Sequence, residues 1–72
     1  MQDLEKLVII PTYNERENIA SIIDTVFLLR QQLHVLIIDD GSPDGTAHIV
    51  RNLQAEFPGR LFLEKNVLEN LD

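Results

Sequence analysis

Three short apolar runs set the terms for this chain: Leu7–Ile10 (LVII), His34–Ile38 (HVLII) and Leu61–Leu63 (LFL), each ending in polar or turn-forming residues. Continuous rather than alternating apolarity predicts strands covered on both faces, as in parallel sheets. Between the runs the period changes. Ile19, Ile22, Ile23, Val26, Phe27 and Leu29 recur at three- and four-residue steps, which predicts a helix from Ile19 with those residues inward. Glu15 and Glu17 fall near its start and Arg30 near its end, as the helix dipole favours. A second helix is expected over about Thr46–Glu56, with Ala47, Ile49, Val50 and Leu53 inward, Asp44 or Thr46 as its cap, and Pro58-Gly59 as its stop.

The sum is β-α-β-α-β with short connections. Such alternation requires parallel strands joined by right-handed crossovers, the first half of a doubly wound α/β fold. With 72 residues the chain makes one small domain. At that length only roughly 60% of the unfolded surface is buried. There is no cysteine, hence no disulfide or thiolate metal site to stabilise it. The polar ending "EKNVLENLD" adds no fourth apolar run.

The formal net charge of −6 and a pI near 4.6 argue against nucleic acid as a partner, because phosphate backbones are held by clustered Lys and Arg. No apolar run approaches the roughly 20 residues of a membrane span. The start "MQDLEK" lacks the basic and apolar regions of a signal peptide, which points to the cytoplasm.

In open α/β sheets ligands bind beyond the carboxyl ends of the strands. Two polar clusters lie there, Pro11–Asn18 after the first strand and Asp39–Asp44 after the second. Neighbouring strands would bring them into one crevice. Each residue also has a plainer reading. Pro11 can simply stop a strand. Tyr13, the one tyrosine, can be a packed lid or can stack on a base or sugar. Glu15 can serve the helix dipole alone. Asp39 and Asp40 are less easily dismissed, since adjacent carboxylates repel each other. On a strand they point to opposite sides. One can then accept from loop N–H groups while the other faces the crevice, suited to base N–H groups, ribose hydroxyls or a metal. Asp44 reads as a turn or cap residue. His34 and His48 have no metal-ligand spacing. The G-x-G-x-x-G and G-x-x-x-x-G-K-[ST] phosphate loops and the G-x-S-x-G elbow are missing from the sequence.

Taken together, "VIIPTYNERENI" and "VLIIDDGSPDGTA" resemble the N-terminus of family 2 glycosyltransferases of the GT-A fold. Within that family they are most similar to the dolichol- or polyprenol-phosphate mannose synthases. The resemblance runs from about Leu7 to Leu63. It implies a three-stranded, truncated half of a Rossmann-like GT-A nucleotide-binding domain over residues 1–65. The family transfers a sugar from a nucleotide donor, typically GDP-mannose, to a lipid phosphate with inversion at the anomeric carbon. The resemblance implies donor-nucleotide contacts at Pro11, Tyr13 and Glu15, and base and ribose contacts at Ile38 and Asp40. The polyprenol-phosphate acceptor is already an ionised nucleophile and needs little general-base help. A divalent cation, Mg or Mn, would stabilise the leaving diphosphate. Its D-x-D ligands lie beyond this chain's end, so no catalytic or metal-binding residue is assigned here and the 72 residues alone are expected to be inactive.

Two further expectations follow from the resemblance. The family continues after its third strand with a G-K-x-G-L-G run. If the codons from Lys65 are taken as AAA AAC GTT CTG GAA AAC TTG GAT TAG, a two-nucleotide shift after Lys65 reads R-S-G-K-L-G-L, so Asn66–Asp72 is expected to be a non-family, out-of-frame tail. The family's first strand is interior; here Leu7–Ile10 would become an exposed apolar edge open to self-association. The full-length enzyme would work in the cytoplasm or on the cytoplasmic face of a membrane. The alternatives are a stand-alone nucleotide-binding module and a phosphoacceptor receiver. Receivers place their acidic pair after the first strand, whereas here it follows the second.

Overall fold

The computed structural model describes residues 6–29 and 32–65. The elements run β1 (Lys6–Thr12), α1 (Ile19–Leu29), β2 (Leu33–Asp39), α2 (Thr46–Gln54) and β3 (Leu61–Lys65). All three strands are parallel, in the order β1-β2-β3. The β-α-β-α-β half-domain expected from the apolar runs is therefore present. The expected tail, Asn66–Asp72, and the helix-end Arg30 lie outside the described residues.

Both crossovers step the same way across the sheet. Right-handed connections that step the same way lay their helices on the same face. Ile19, Ile23 and Phe27 of α1 and Val50 of α2 accordingly pack with Val35 and Ile37 of β2 and Leu61 of β3 in one buried cluster. This corrects the expectation of strands covered on both faces. β2 alternates buried and half-buried residues along its whole length. Leu7 and Ile9 of β1 are each 54% exposed, and Phe62 of β3 is exposed as well. The apolar runs are continuous, yet only one of their two faces is covered here.

Pro11 does not stop the first strand, which runs through it to Thr12. The Asp40 N–H donates to the Thr12 carbonyl at 2.9 Å, so Thr12 turns its polar groups toward β2. Residues alternate, so Leu7, Ile9 and Pro11 turn theirs toward the open edge. A proline costs no ladder bond there.

The first helix begins at Ile19 as expected, but Leu29 does not face inward: it is 73% exposed, past the last core position, Phe27. In α2 Ala47 and Val50 are buried, while Ile49 and Leu53 pack against the cluster from its margin. The helix ends at Gln54, two residues short of the expected Glu56. Its N-cap is Gly45 with φ 92°, a left-handed conformation that glycine adopts without strain. Neither Asp44 nor Thr46 occupies that position; Asp44 instead accepts from the Thr46 N–H at 3.0 Å from one residue before it.

Ile23 is fully buried between helix and sheet, so Ile23→Ala is expected to destabilise the chain by about 2–5 kcal/mol. Leu29→Ala is expected to change it by less than about 0.5 kcal/mol. Urea denaturation followed by circular dichroism distinguishes the two.

Candidate nucleotide site at the carboxyl ends of β1 and β2

The register sets Pro11 beside Ile38 and Thr12 beside Asp39 at the carboxyl ends of the paired strands. Two layers result. On the helix-covered face Thr12 and Asp39 are buried. On the open face lie exposed Pro11 and half-buried Ile38. Just past the strand ends follow Tyr13, 55% exposed, and exposed Asp40. Glu15 is half-buried in the turn that leads into α1, where its carbonyl accepts from the N–H groups of Asn18 and Ile19. The two polar clusters thus lie side by side beyond the strand ends, joined by hydrogen bonds.

The adjacent aspartates divide as strand alternation demands. Asp39 turns into the fold. Its Oδ1 accepts from the Thr12 hydroxyl at 2.9 Å and the Ser42 hydroxyl at 2.6 Å, and its Oδ2 accepts from the Ser42 N–H at 2.9 Å. Burial pushes the Asp39 carboxyl up and Asp44 adds a smaller push. The hydrogen bonds from Ser42 and Thr12 outweigh both, so its pKa lies below the ordinary value. Asp40 remains at the exposed mouth.

A second network sits one step further out. Asp44 accepts from the Thr46 hydroxyl and N–H and, through Oδ2, from the Arg16 N–H at 3.1 Å. The Thr46 hydroxyl bond is the main reason that the Asp44 carboxyl also lies below the ordinary value. The Glu15 N–H donates to the Thr46 hydroxyl at 3.0 Å and the Asn14 N–H to the Ser42 hydroxyl at 2.7 Å. Asn14 itself has φ 56°, a left-handed bend that asparagine tolerates better than most residues. Among the described residues no buried side-chain nitrogen or oxygen lacks a partner.

Sequence reasoning did not single out Thr12 or Ser42, and took Thr46 only as a candidate helix cap. The signal was local: each small hydroxyl residue adjoins a strand end or a glycine turn, where such side chains bond backbone groups. What could not be read was that they bond the neighbouring loop.

The arrangement can accept hydrogen bonds at Asp40, offer an aromatic wall at Tyr13 and apolar contact at Pro11 and Ile38. It does not fit a metal ion. No three His, Asp or Glu side chains among the described residues converge to hold one, and the inward carboxylate Asp39 already has both oxygens engaged. A shallow groove bounded by Asp24, Phe27, Leu28, Phe57 and Arg60 lies at the opposite, amino end of the sheet, where its two phenylalanines stack 4.4 Å apart.

Residues 7–67 match the family described as Glycosyl transferase family 2. Fold and matched span agree, and the chain belongs to that family. It is 51% identical over 55 residues to the polyprenol monophosphomannose synthase of Mycolicibacterium smegmatis, covering 76% of this chain and 21% of that protein. To the dolichol-phosphate mannosyltransferase of Pyrococcus furiosus it is 40% identical over 53 residues, 71% of this chain and 15% of that one. Among solved structures it resembles a mannosyltransferase from Pyrobaculum calidifontis in complex with GDP-Man and Mn2+, with a TM-score of 0.64, 34% identity, and coverage of 89% of this chain and 19% of that one. The chain therefore spans about a fifth or less of the length of these relatives. No helix among the described residues is long and apolar enough to cross a membrane.

Both lowered carboxylates give a pH dependence of defined sign. Their folded-state pKa values lie below the ordinary 3.8, so the unfolded chain takes up protons first as pH falls. Their stabilisation is complete above that value and is lost as pH drops through the lower folded values. Urea midpoints are expected to hold steady down to about pH 5 and to fall below about pH 4. Asp39→Asn should start from a lower midpoint and decline less steeply.

Proposed function

We propose that this chain is the nucleotide-sugar-binding part of an inverting glycosyltransferase that moves a sugar from GDP-mannose to a polyprenol or dolichol phosphate. The observation that carries the reading is the meeting of Pro11, Tyr13 and Glu15 with Ile38 and Asp40 at the carboxyl ends of two paired parallel strands. Relatives named for polyprenol and dolichol phosphate substrates, and a neighbour solved with GDP-Man, support it. In this reading Tyr13 stacks on the base or ribose, Pro11 and Ile38 pack against it, and the carboxylates of Glu15 and Asp40 accept from its N–H and hydroxyl groups. The divalent cation, the diphosphate contacts and the acceptor site belong to parts of the enzyme outside this chain, on the cytoplasmic side of a membrane. Alone, the 72 residues bind the donor nucleotide without transferring the sugar.

A stand-alone nucleotide-binding module would share the crevice and differ only in having no transferase partner sequence. Transfer of mannose by a longer chain that carries these residues separates the two.

The open edge of β1 supports one more partner, a second copy. Leu7 and Ile9 present exposed side chains on that strand, and their N–H and C=O groups point outward. Two such edges can pair with each other. Sedimentation velocity is expected to show concentration-dependent dimers that Ile9→Lys abolishes; a monomer at every concentration would count against edge pairing.

Isothermal titration with GDP tests the main reading. Saturable binding is expected, and Tyr13→Ala should weaken it by about 1–3 kcal/mol, the usual worth of a base–aromatic stack. Tyr13→Phe, which keeps the ring, should bind nearly as the parent does.

A further inference from the structure

Three consecutive backbone N–H groups, those of Asn14, Glu15 and Arg16, lead from β1 toward α1. In doubly wound folds the N–H groups of this first strand-to-helix turn are where a ligand's phosphates usually sit, because they point outward at a positive helix end. Here all three are taken. The Asn14 N–H donates to the Ser42 hydroxyl, that of Glu15 to the Thr46 hydroxyl, and that of Arg16 to the Asp44 carboxylate. The acceptors come from the loop after β2 and from the first residue of α2, Thr46. The Ser42 and Thr46 hydroxyls then pass their own hydrogens on to Asp39 and Asp44. The direction of every bond is thereby fixed, and the hydroxyls have no hydrogen left for a ligand.

We propose that Ser42, Asp44 and Thr46 form a built-in plug that fills the first loop's amides in place of a phosphate, and that they act as positioning residues setting Tyr13 and Glu15 opposite Asp40. The plug excludes phosphate recognition at this turn. The positioning half of this proposal rests on the nucleotide reading above; the plug itself does not.

The geometry suits the role. Tyr13 and Glu15 flank Asn14, whose left-handed conformation bends the chain between them. A loop bent in that way has no regular ladder to hold it; its three amides attach it to residues 42–46, with the Arg16 Nη1 donating to the Asp44 carbonyl at 3.5 Å beside them. Fixing each amide there sets where the flanking side chains stand relative to Asp40. Preorganisation of this kind raises affinity by removing an ordering cost from the binding step.

Amide NMR spectra of the 72-residue chain provide the test, titrated separately with inorganic phosphate and with GDP. The Asn14, Glu15 and Arg16 amide signals are expected to stay put with phosphate at concentrations where GDP saturates. Saturable phosphate-induced shifts at these amides would overturn the plug. For positioning, Thr46→Val should weaken GDP binding about tenfold, a loss of about 1.4 kcal/mol. Thr46→Ser, which restores the hydroxyl, should recover the affinity. Should Thr46→Val not fold, Ser42→Ala and Ser42→Thr make the same comparison from a less buried site. A folded hydroxyl-less variant that binds GDP as tightly as the parent would overturn positioning. Absence of GDP binding by the parent chain would overturn the nucleotide reading and positioning with it, while the phosphate arm still decides the plug.

Discussion

A single buried carboxylate ties the two working strands together. Asp39 closes β2 on the covered face and takes three hydrogen bonds, one from Thr12 at the end of β1 and two from Ser42 in the following loop. An unpaired charge at that depth would be strongly destabilising, so strand end and loop must converge on it. Once they do, the register between β1 and β2 is confirmed at its last pair, Thr12 beside Asp39. The same convergence places Ser42 under the Asn14 N–H. The crevice follows from that placement, because its residues stand immediately beyond the bonded positions on either strand.

The layering has a second consequence. With both helices on one face, the core is thin and the opposite sheet face stays open. The candidate nucleotide contacts Pro11 and Ile38 lie on that open face, alongside exposed Leu7, Ile9 and Phe62. The buried core lies on one side of the sheet, and Pro11 and Ile38, two of the residues proposed for recognition, lie on the other. For so short a chain this leaves the apolar edge of β1 in contact with water, which a larger α/β sheet would cover on both faces.

Much of the fold was legible in the residues. Three apolar runs with two intervening helical periods permitted little besides β-α-β-α-β, since the connections are too short for anything but direct crossovers. Ile19, Ile23, Phe27 and Val50 were found inward because their spacing is a property of the helix itself. Leu29 was misjudged because periodicity does not tell where the partner surface ends. Coverage of both sheet faces was misjudged because a run such as LVII describes what a strand tolerates, and the number of layers depends on which way successive crossovers step. Of the candidate site, strand alternation alone showed that Asp39 and Asp40 point to opposite sides; that Asp39 is the one turned inward came from its bonds to Thr12 and Ser42. The bonds from Asn14, Glu15 and Arg16 to Ser42, Thr46 and Asp44 were not readable, because they join residues 28 to 31 positions apart and no local pattern encodes them.

The central claim is that the carboxyl-end crevice, and not another surface, receives the nucleoside. Intermolecular nuclear Overhauser effects between bound GDP and the chain test it most directly. Contacts from the guanine and ribose protons to the Tyr13 ring and the Ile38 methyl groups are the result expected. Contacts instead to Phe27 and Phe57, in the groove at the opposite end of the sheet, would contradict it.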